Sequence, residues 1–576
     1  MRLFLLVASA LVGAAAAASS SASVSASARA SASVSAIKNK ATPACAAEKL
    51  KPFQVAPADY TRTLQDLIDE ASRSGSPSSP LGSNSEPVVK LSAGQFKLST
   101  DQPIILRPGV SLHGNRVQDA PTILVGGKGN ETATISVPAE NIGWSISDIV
   151  FDNVNIRVAP HNNGDETSVL GNLFINGGRG SVMAESGENL FIDGNVFLRD
   201  FEHASKEQRP SYNTTNTGVL FQTQKSSVIS NNIFGHLTKR LQTKYHMFSM
   251  DLRKVDDVIP HVAPQLQRVL NNVKFLQNCL GKQLDDQQGF LASGVQLYST
   301  NDITIKENIM NGTLPDNVRF SQDHAVSIVG GNQTYIYQNF FAGWELADFG
   351  GATRFTSAVD GYVISNYLAH DAVMMYAATH ADFMQVSNMV VYNNFFYRFL
   401  GPNVAPPEKD LDGWLYEGVT FFDFYTARLN YTIMPPIWNS SVPISPWGWH
   451  IVISSNKFAA HEDTDPNVIS LGNLDPNEAY IDKRNCYVTD PLIDGVDEDH
   501  VVPLLWRQSY EPGVYTRHGG RIPKKYDFYT RDELIGNVPA HLRNLPIPSF
   551  WKAFTLRNET VPMMDPSTPC RGQIEL

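Results

Sequence analysis

Three neighbouring stretches of the chain share one pattern: AVSIVGGNQTYIYQNFF at Ala325–Phe341, VDGYVISNYL at Val359–Leu368 and MVVYNNFF at Met389–Phe396. Each stretch has a short run of alternating apolar residues, then an asparagine, then one or two bulky apolar residues. The asparagines, Asn339, Asn366 and Asn394, are separated by 27 and 28 positions. A sequence unit that recurs at a fixed period of this length indicates a repeat architecture.

The same unit recurs both before and after these stretches. Its asparagines there are Asn172, Asn195, Asn232, Asn308 and Asn456. Wherever no insertion intervenes, the spacing is about 23 to 31 residues, the length of one coil of a parallel β-helix. We expect each asparagine to lie at a tight bend with left-handed φ and to bond the asparagine one coil away. The apolar residues beside it are expected to stack in the interior.

Size and charge limit the possible functions of this chain. It has 576 residues, of which 42% are hydrophobic, and a formal net charge of -11. An ordinary globular core of this length divides into several domains, whereas a solenoid grows coil by coil because each coil contacts only its neighbours. The acidic balance argues against a nucleic-acid partner, since nothing offsets the repulsion of phosphates.

The first residues have the features of an export signal. Residues 1–18 contain one early arginine, an apolar run and then small residues, and residues 19–59 form a Ser/Ala-rich leader that we expect to be disordered. No later segment is apolar enough to predict a membrane span. Seven Asn-X-Ser/Thr sequons predict a secreted, extracellular or cell-wall glycoprotein, with acceptors at Asn130, Asn213, Asn311, Asn332, Asn430, Asn439 and Asn558.

Four cysteines predict one or two disulfides in an oxidising compartment: Cys45, Cys279, Cys486 and Cys570. They are far apart and do not have the spacing of a metal site, and their pairing cannot be deduced from sequence.

The predicted β-helix domain spans residues 60–460 and has additions at both ends and within it. Tyr60–Ala71 has apolar residues at helical spacing and is expected to cap the open edge of the first coil. Residues 237–290 interrupt the repeat with a helix at Pro264–Leu280, which either forms one wall of a groove or packs on the side. Residues 461–576 are expected to form a loop-rich C-terminal wrap.

The repeated apolar-x-apolar-x-Asn-x-Phe unit makes residues 85–460 resemble the right-handed parallel β-helix superfamily. This is the fold of pectate lyases, alginate lyases, alginate epimerases and several glycoside hydrolases. The polygalacturonase motifs Asn-Thr-Asp, Gly-His-Gly and Arg-Ile-Lys are absent from the chain, and so is the Asp-Pro-His-Asp signature of bacterial alginate epimerases. No catalytic residue is therefore carried over from these families. The resemblance implies an all-β solenoid that acts on polysaccharide.

In this fold the ligand cleft usually lies along the strand after the Asn-containing bend. The candidate strands are Gly218–Lys225, Gly294–Ser299, His324–Val329, Arg354–Val359, Ala372–Ala378 and Gly418–Phe424. One residue of each strand is expected to point inward, namely Val219, Val295, Val326, Phe355, Val373 and Val419. Because side chains alternate between the two faces of a strand, the outward side chains of these strands form two rows. The first row is Leu220, Gln296, Ser327, Thr356, Met374 and Thr420. The second is Gln222, Tyr298, Val329, Ala358, Tyr376 and Phe422. Such a surface suits sugar rings, although an ordinary wet sheet face would look the same.

Charged residues cluster at the start of three successive candidate strands. They are Asp323 and His324, then Arg354, then His370 and Asp371, with His380 and Asp382 after the third strand. Successive coils lie about 4.8 Å apart, so these side chains are expected to form one patch. We predict Asp323, His324, Arg354, His370, Asp371 and Tyr376 as catalytic. We predict Gln222, Gln296, Tyr298, His380, Asp382 and Phe422 as substrate-binding.

Three functions fit these groups. In β-elimination or epimerisation of a uronate, Arg354 would neutralise the carboxylate, His324 or His370 would act as base and Tyr376 as acid. In glycoside hydrolysis, Asp323 and Asp371 would be the paired carboxylates, two coils apart and nearer the inverting spacing. A third function is non-catalytic binding of glycan at a cell wall or surface.

The sequence indicates no cofactor. A calcium ion is compatible with the superfamily, but no aspartate-rich loop has the spacing of calcium ligands. The expected partner is a polysaccharide substrate and the expected state is a monomer, without nucleic acid or membrane.

Overall fold

The computed structural model describes the chain in segments, which are residues 23–24, 54–55, 59–74, 87–116, 120–127, 131–140, 143–160, 167–199, 217–242, 247–251, 264–282, 284, 291–312, 323–344, 351–369, 371–377, 385–398, 418–423, 448–460, 469–470, 479–481, 484–489, 505–511, 514–518, 538–546, 548 and 572–573. In some strands, including the end of Val419–Asp423, only the backbone is described.

Three long sheets, in which almost all strands are parallel, build the described part of the chain. Sheet 1 contains β1 (Ser23–Val24), β3 (Val88–Lys90), β6 (Ser111–His113), β9 (Ser145–Ser147), β12 (Thr167–Leu170), β15 (Gly187–Glu188), β16 (Leu190–Asp193), β19 (Gln224–Ser230), β24 (Asn301–Lys306), β27 (Asn332–Tyr337), β30 (Val359–Ile364), β33 (Val386–Tyr392), β36 (Gly448–Ser454) and β39 (Ala479–Ile481). Sheet 2 contains β2 (Gln54–Val55), β4 (Gly94–Lys97), β7 (Thr122–Val125), β10 (Ile149–Asp152), β13 (Leu173–Ile175), β17 (Val196–Leu198), β20 (Ile233–Gly235), β25 (Ile309–Asn311), β28 (Phe340–Ala342), β31 (Tyr367–Ala369), β34 (Phe395–Arg398), β37 (Lys457–Ala460), β40 (Cys486–Thr489) and β43 (Gly572–Gln573). Sheet 3 contains β5 (Ile104–Ile105), β8 (Ala133–Val137), β11 (Val154–Val158), β14 (Gly180–Ala184), β18 (Thr217–Gln222), β23 (Ser293–Tyr298), β26 (Val326–Val329), β29 (Thr353–Thr356), β32 (Val373–Ala377), β35 (Val419–Asp423), β38 (Ile469–Ser470), β41 (Leu505–Glu511) and β42 (Val514–His518).

The remaining elements are few. They are a hairpin of β21 (Thr238–Gln242) and β22 (Met247–Asp251), the helices α1 (Thr61–Ser74) and α2 (Pro264–Leu280), and a 3-10 turn at Ala540–Leu542. Neither described α-helix combines the length and apolar character that crossing a bilayer would require.

One coil of the solenoid is a strand of each sheet in turn. The chain runs along β27, bends at Asn339 into β28, and then reaches β29 through a longer connection. The next coil repeats this order one strand further along every sheet, so each strand pairs in parallel with its counterpart one coil away. Parallel crossovers of this kind are right-handed. The predicted right-handed parallel β-helix is therefore confirmed.

The interior asparagines form the predicted ladder. Its members, which we call the asparagine ladder, are Asn172, Asn195, Asn232, Asn308, Asn339, Asn366, Asn394, Asn456 and Asn485. All are buried, and each Nδ2 from Asn172 to Asn456 donates to the Oδ1 of the next member, as Asn339 does to Asn366 at 3.0 Å. The same Oδ1 also accepts from the backbone N–H of Asn339 at 2.9 Å. The ladder thus satisfies backbone donors at bends that have no other partner.

The predicted conformation of the ladder asparagines was wrong in one respect. For the eight asparagines from Asn172 to Asn456, positive φ occurs at the preceding residue and not at the asparagine itself, for example 56° at Gln338 and 53° at Ser365. The bend is tight, so one residue must take left-handed φ, and the asparagine side chain is needed inward for the ladder. The left-handed backbone conformation and the inward hydrogen-bonding side chain are therefore supplied by two adjacent residues.

Aromatic side chains stack inside the same bends. The rings of Phe151, Phe174, Phe197 and Phe234 follow one another at centroid distances of 4.9, 5.0 and 4.7 Å. All four rings are fully buried. Because strand spacing in the sheet is about 4.8 Å, identical rings on successive coils stack face over face. The bulky residue that follows the asparagine in the repeat has this role.

Helix α1 caps the first coil as predicted. Leu64, Ile68 and Ala71 are buried against the end of the solenoid. Gln65 pairs with the strand edge at Ile105: its Oε1 accepts from the backbone N–H at 2.8 Å and its Nε2 donates to the carbonyl at 3.0 Å. A single side chain thus substitutes for a neighbouring strand at an edge that would otherwise be open.

Helix α2 packs on the outer face of sheet 2 and does not border sheet 3. Its apolar stripe lies against outward residues of that sheet. Polar contacts fix both of its ends: Arg268 pairs with Asp148 at 3.2 Å, and Lys282, just beyond the helix, pairs with Asp152. Of the two alternatives left by the sequence for this helix, α2 packs on the side.

The C-terminal region contains more of the solenoid than the fading repeat indicated. Asn485 continues the asparagine ladder beyond Asn456, and the strands at 469–470, 479–481 and 486–489 complete a further coil. Val538 and Leu542 then pack on the outer face of sheet 1. The repeat was hard to read here because the strands are short and long connections separate them.

The expected disulfides stay a prediction. Cys279 and Cys486 are buried, in α2 and β40, and Cys45 and Cys570 lie outside the described residues, as does the predicted signal segment 1–18.

Candidate functional site

The candidate strands form sheet 3, which is not the sheet that directly follows the asparagine bend. Sheet 2 follows that bend, and sheet 3 comes after the longer connection. Successive strands of sheet 3 are β18, β23, β26, β29, β32 and β35, so the six predicted strands are neighbours in the predicted order. Long connections allow insertions without disturbing the ladder, which is why side chains with varied chemistry collect next to this sheet.

The register of β29 differs from the prediction by two residues. Val326 pairs with Thr353 and Ile328 pairs with Phe355, whereas the alternation of apolar residues placed Phe355 beside Val326. The first outward row is therefore Leu220, Gln296, Ser327, Arg354, Met374 and Thr420, and the second is Gln222, Tyr298, Val329, Thr356, Tyr376 and Phe422. A shift of two keeps every side chain on its predicted face, so periodicity alone could not detect it.

This shift changes the position of Arg354. The sequence placed it at the edge, level with Asp323 and Asp371, but it lies within the outward row between Ser327 and Met374. Its guanidinium reaches back along the sheet to the preceding coil. Nη2 donates to Asp323 Oδ2 and to Ser327 Oγ, both at 2.9 Å. Arg354 and Asp323 therefore belong to one cluster, because the arginine side chain is long enough to reach the preceding coil.

Asp323 and His324 form a dyad next to that guanidinium. His324 Nδ1 lies 3.0 Å from Asp323 Oδ1, and the same oxygen accepts from the backbone N–H of His324 at 2.9 Å. The dyad is partly enclosed, because the side-chain exposure is 5% for His324 and 24% for Asp323. Ser293 Oγ donates to the His324 carbonyl at 2.7 Å and so helps to fix the backbone.

Electrostatics sets the charge states of this cluster. Burial raises the pKa of the Asp323 carboxyl, but the charge of Arg354 and the hydrogen bonds from His324 outweigh it and lower that pKa to about 2. Burial lowers the pKa of His324, assisted by the charge of Arg354 and opposed by Asp323. At neutral pH the cluster is thus a carboxylate, a guanidinium and a neutral imidazole.

The neutral imidazole has a defined tautomer. Because the Asp323 carboxylate only accepts hydrogen bonds, Nδ1 must carry the proton that it donates. Nε2 of His324 then has a free lone pair, and it bonds to no residue that the structure describes. This arrangement makes Nε2 a proton acceptor.

A glycine makes room for that imidazole. Gly351 lies one coil beyond His324, and a Cβ atom there would be 2.9 Å from His324 Nε2 and 2.8 Å from its Cδ2. Only a residue without a side chain leaves this space. The sequence reasoning missed Gly351, although two adjacent glycines before a candidate strand indicate a close approach.

Among the aromatic side chains that the structure describes on this face, Tyr298 is the most exposed, at 37%. Burial and the charge of Asp323 raise the pKa of its phenol, whereas Arg354 and Arg179 lower it. The phenol is therefore close enough to the cluster to respond to its charges, and at neutral pH it carries its proton. Gln296, in the next outward position, is only 8% exposed, so much of the predicted wet face is in fact covered.

The remaining predicted residues divide into two groups. Tyr376 and Gln222 are half-buried in the second outward row, and Asp371 is buried two coils beyond His324, at the position equivalent to His324 and not to Asp323. His370, His380 and Asp382 lie outside the described residues, and of Phe422 only the backbone is described. Ser327 was predicted to face outward, but its contact with Arg354 could not be seen in the sequence.

Across the described segments there is no cluster of three or more His, Cys, Asp or Glu side chains able to hold a metal ion.

Two predicted glycosylation sites have opposite environments. Asn311 is fully buried and its Nδ2 donates to the His236 carbonyl at 2.8 Å, whereas Asn332 is exposed at the start of β27. Oligosaccharyltransferase needs an accessible amide nitrogen. The other five sequons lie outside the described residues.

We expect Asn332 to carry a glycan and Asn311 to carry none when the chain is expressed in a eukaryotic secretory host. Enzymatic deglycosylation in heavy-oxygen water, followed by peptide mass spectrometry, would mark each occupied asparagine. Full occupancy at Asn311 would contradict the buried environment described here.

Comparisons with known proteins complete this description. No family model and no curated protein matches the chain. Among solved structures, the chain is similar to PfbA, a surface adhesin of Streptococcus pneumoniae, with 11% identity, 82% of this chain and 99% of that chain covered, and a TM-score of 0.43. It is similar to the A-module of the mannuronan C-5 epimerase AlgE4 of Azotobacter vinelandii, with 13% identity and a TM-score of 0.38. The match covers 76% of this chain and 92% of that chain. It is also similar to a polygalacturonase of Erwinia carotovora, with 11% identity and a TM-score of 0.32. The match covers 77% of this chain and 94% of that chain. At these identities and scores, no conclusion about function rests on the likeness.

Proposed function

We propose that this protein is a carbohydrate-active enzyme, a polysaccharide lyase or epimerase that removes the proton next to the carboxylate of a uronate. The observation that carries the proposal is the cluster of Asp323, His324 and Arg354 on sheet 3. One carboxylate holds a neutral imidazole through one oxygen and a guanidinium through the other. Proton removal beside a carboxylate needs a base and a cation close together, and this cluster supplies both.

The base in this proposal is His324. Its Nε2 takes the C5 proton, and the electron pair of the C5–H bond moves into the substrate carboxylate to give an enolate. In elimination, that pair then forms the C4–C5 double bond, and the C4–O bond to the neighbouring sugar breaks with its electrons. In epimerisation, C5 instead regains a proton on its opposite face.

The cation is Arg354. Its Nη2 is used by Asp323 and Ser327, while Nη1 bonds to no residue in the described segments and the side chain is 25% exposed. A substrate carboxylate can therefore approach the guanidinium without breaking its present contacts. Its positive charge stabilises the enolate, in which negative charge on the carboxylate oxygens increases.

The proton donor is Tyr298. Its phenol keeps its proton at neutral pH and lies within reach of the charges of the cluster. It would protonate the leaving C4 oxygen in elimination or C5 in epimerisation. Tyr376, the donor expected from the sequence, lies in the same outward row one strand beyond Arg354, on the other side of the cluster.

Glycoside hydrolysis by the paired aspartates Asp323 and Asp371 is less well supported. A glycoside hydrolase needs one carboxyl that keeps its proton near neutral pH. The pKa of Asp323 is lowered to about 2, and the carboxylate already accepts three hydrogen bonds. It is therefore poorly suited to donate a proton.

Secretion is part of the same proposal. The apolar segment at residues 1–18 and the seven sequons support an extracellular or cell-wall location. We propose that the protein acts as a monomer and that its substrate is a polysaccharide.

The test is incubation of the purified chain with polyguluronate, polymannuronate, pectate and neutral polysaccharides. A rise in ultraviolet absorbance from an unsaturated uronate would support a lyase. Deuterium uptake at C5 in heavy water without chain cleavage would support an epimerase. New reducing ends without absorbance would contradict the proposal in favour of a hydrolase, and no change with any substrate would favour a binding protein.

The two tyrosines can be compared directly on the active substrate. We expect Tyr298→Phe to lower turnover by about 10²-fold or more and Tyr376→Phe to have a much smaller effect. The reverse order would restore Tyr376 as the acid. Unfolding midpoints of both variants show whether either change acts through stability instead.

Gly351 allows a further prediction. Gly351→Ala places a methyl group within 2.9 Å of His324 Nε2, so the imidazole must move. Because displacement of a catalytic group by about 1 Å can cost about 10²-fold in rate, we expect a turnover loss of at least 10-fold. The backbone of Gly351 does not have positive φ, so alanine adds no backbone strain. If the variant had the same turnover as the unmodified protein, His324 Nε2 could not be the atom that accepts the substrate proton.

A further inference from the structure

Arg179 is an exposed cation on the outward side of sheet 3 that the proposed reaction does not use. It directly precedes β14, and its guanidinium makes no salt bridge or hydrogen bond to any side chain that the structure describes. Other arginines on the solenoid, namely Arg107, Arg116, Arg157, Arg268 and Arg354, each pair with an aspartate or glutamate. In a chain of net charge -11, the exposed guanidinium of Arg179 is thus left available to an anionic ligand.

Arg179 is aligned with the candidate site along the solenoid axis. Sheet 3 runs in the order β14, β18, β23, β26, β29, so four strand spacings separate the strands of Arg179 and Arg354. Tyr298 lies in the middle strand, β23, six residues further along the strand than Ala292, which is level with Arg179. Four spacings amount to about 19 Å. The charges of both guanidinium groups lower the pKa of the Tyr298 phenol, against the effects of burial and of Asp323.

Two of the strands between the arginines, β18 and β23, carry polar groups in their second outward row that suit a sugar chain. On these strands, six residues beyond the level of Arg179, Gln222 is half-buried and Tyr298 is 37% exposed, and they offer an amide and an aromatic ring with a hydroxyl. Hydrogen bonds and an aromatic surface are what neutral parts of a sugar require. A separation of about 19 Å also exceeds the width of one sugar ring, so no single uronate can contact both arginines.

We propose that Arg179 binds a second acid group of the substrate, carried by a sugar further along the same chain. This inference rests on the proposed function, and it restricts the substrate to polymers that repeat an acid group. Arg179 would then determine specificity for polyuronates over single uronates, without touching the reacting sugar.

Kinetics of Arg179→Gln on a polyuronate and on the shortest oligosaccharide that is converted test this assignment. We expect KM for the polymer to rise about 10-fold or more with kcat within twofold, since a charge-assisted hydrogen bond is lost outside the reacting centre. KM for the short oligosaccharide should not change. Arg179→Lys should recover part of the loss because it keeps the charge. Arg157→Gln is the matched control, an exposed arginine on the adjacent strand β11 that already pairs with Glu185.

Direct binding separates this inference from the proposed function. Calorimetric titration of polyuronate into His324→Gln and into the double variant Arg179→Gln/His324→Gln measures affinity without turnover. An affinity about 10-fold lower in the double variant supports the subsite even if the protein proves not to be a lyase or epimerase. Equal affinities would overturn the inference while leaving the catalytic proposal intact, and a lack of any binding would overturn both.

Discussion

Replacement of His324 by glutamine is expected to lower turnover of a uronate polymer by about 10²- to 10⁴-fold, the usual contribution of a general base. Glutamine has nearly the same reach and can still bond Asp323, but its amide cannot accept a substrate proton. Substrate affinity should change little, because Arg354 keeps its contacts with Asp323 and Ser327. The measurement is kcat and KM on the substrate that the polysaccharide panel identifies.

The control is His113→Gln. His113 lies in sheet 1, half-buried, with its Nε2 2.8 Å from Ser145 Oγ, on a face remote from the cluster. We expect turnover of this variant to stay within about twofold of the unmodified protein. If His324→Gln kept more than a tenth of the activity while folded, His324 could not be the base.

The pH profile of the unmodified protein gives an independent result. Burial lowers the pKa of His324 below its ordinary value of 6.5, and only the neutral imidazole can accept a proton. The rate should therefore be constant at neutral pH and fall on the acid side, with a midpoint of kcat/KM below 6.5. In His324→Gln this acid limb should be absent from the residual rate. A midpoint above 6.5 would contradict the assignment.

Replacement of Asn366 by alanine is expected to destabilise the protein by about 3–5 kcal/mol. Its Oδ1 accepts from the backbone N–H and the Nδ2 of Asn339, and its Nδ2 donates to the Ile336 carbonyl at 2.8 Å and to Asn394 Oδ1 at 3.0 Å. Alanine leaves these buried groups without partners, at about 1–3 kcal/mol for each unsatisfied group. Alanine itself is tolerated by the backbone, because φ is not positive at Asn366.

Urea unfolding followed by circular dichroism measures this loss. Amide exchange should also accelerate at Asn339, whose N–H loses its acceptor. Asn393→Gly is the control: Asn393 is the exposed neighbour of the ladder, its φ of 54° suits glycine, and only its bond to Ser365 Oγ is lost. We expect a change below about 1 kcal/mol there. Similar losses in both variants would mean that the ladder contributes little.

The local pattern was sufficient to predict the ladder and the helices. Asn339, Asn366 and Asn394 recur at the coil period, and the apolar spacing in Pro264–Leu280 is helical, so each element could be recognised from residues close in sequence. The left-handed residue was misplaced by one position because side-chain bonding and backbone conformation make separate demands at a bend. The alternation could not distinguish a two-residue shift in β29, because such a shift keeps the same face outward.

The site was predicted less completely than the fold. Asp323, His324 and Arg354 were grouped correctly, because charged residues at the start of successive strands must lie on neighbouring coils. Their bonds could not be predicted, since the reach of an arginine and the space above Gly351 depend on the packing of three coils. Arg179 was missed because it lies 119 positions before Tyr298 in the sequence, and only the pairing of strands brings their coils close together.

The sequence by itself determined that this chain is a parallel β-helix with an interior asparagine ladder. A coil contacts only its neighbours, so a local repeat carries all the information that the fold requires. The tertiary structure alone decided which groups meet: Arg354 with Asp323, and His324 over Gly351. Those contacts join residues on different coils, where register and side-chain length, and not periodicity, fix the distances.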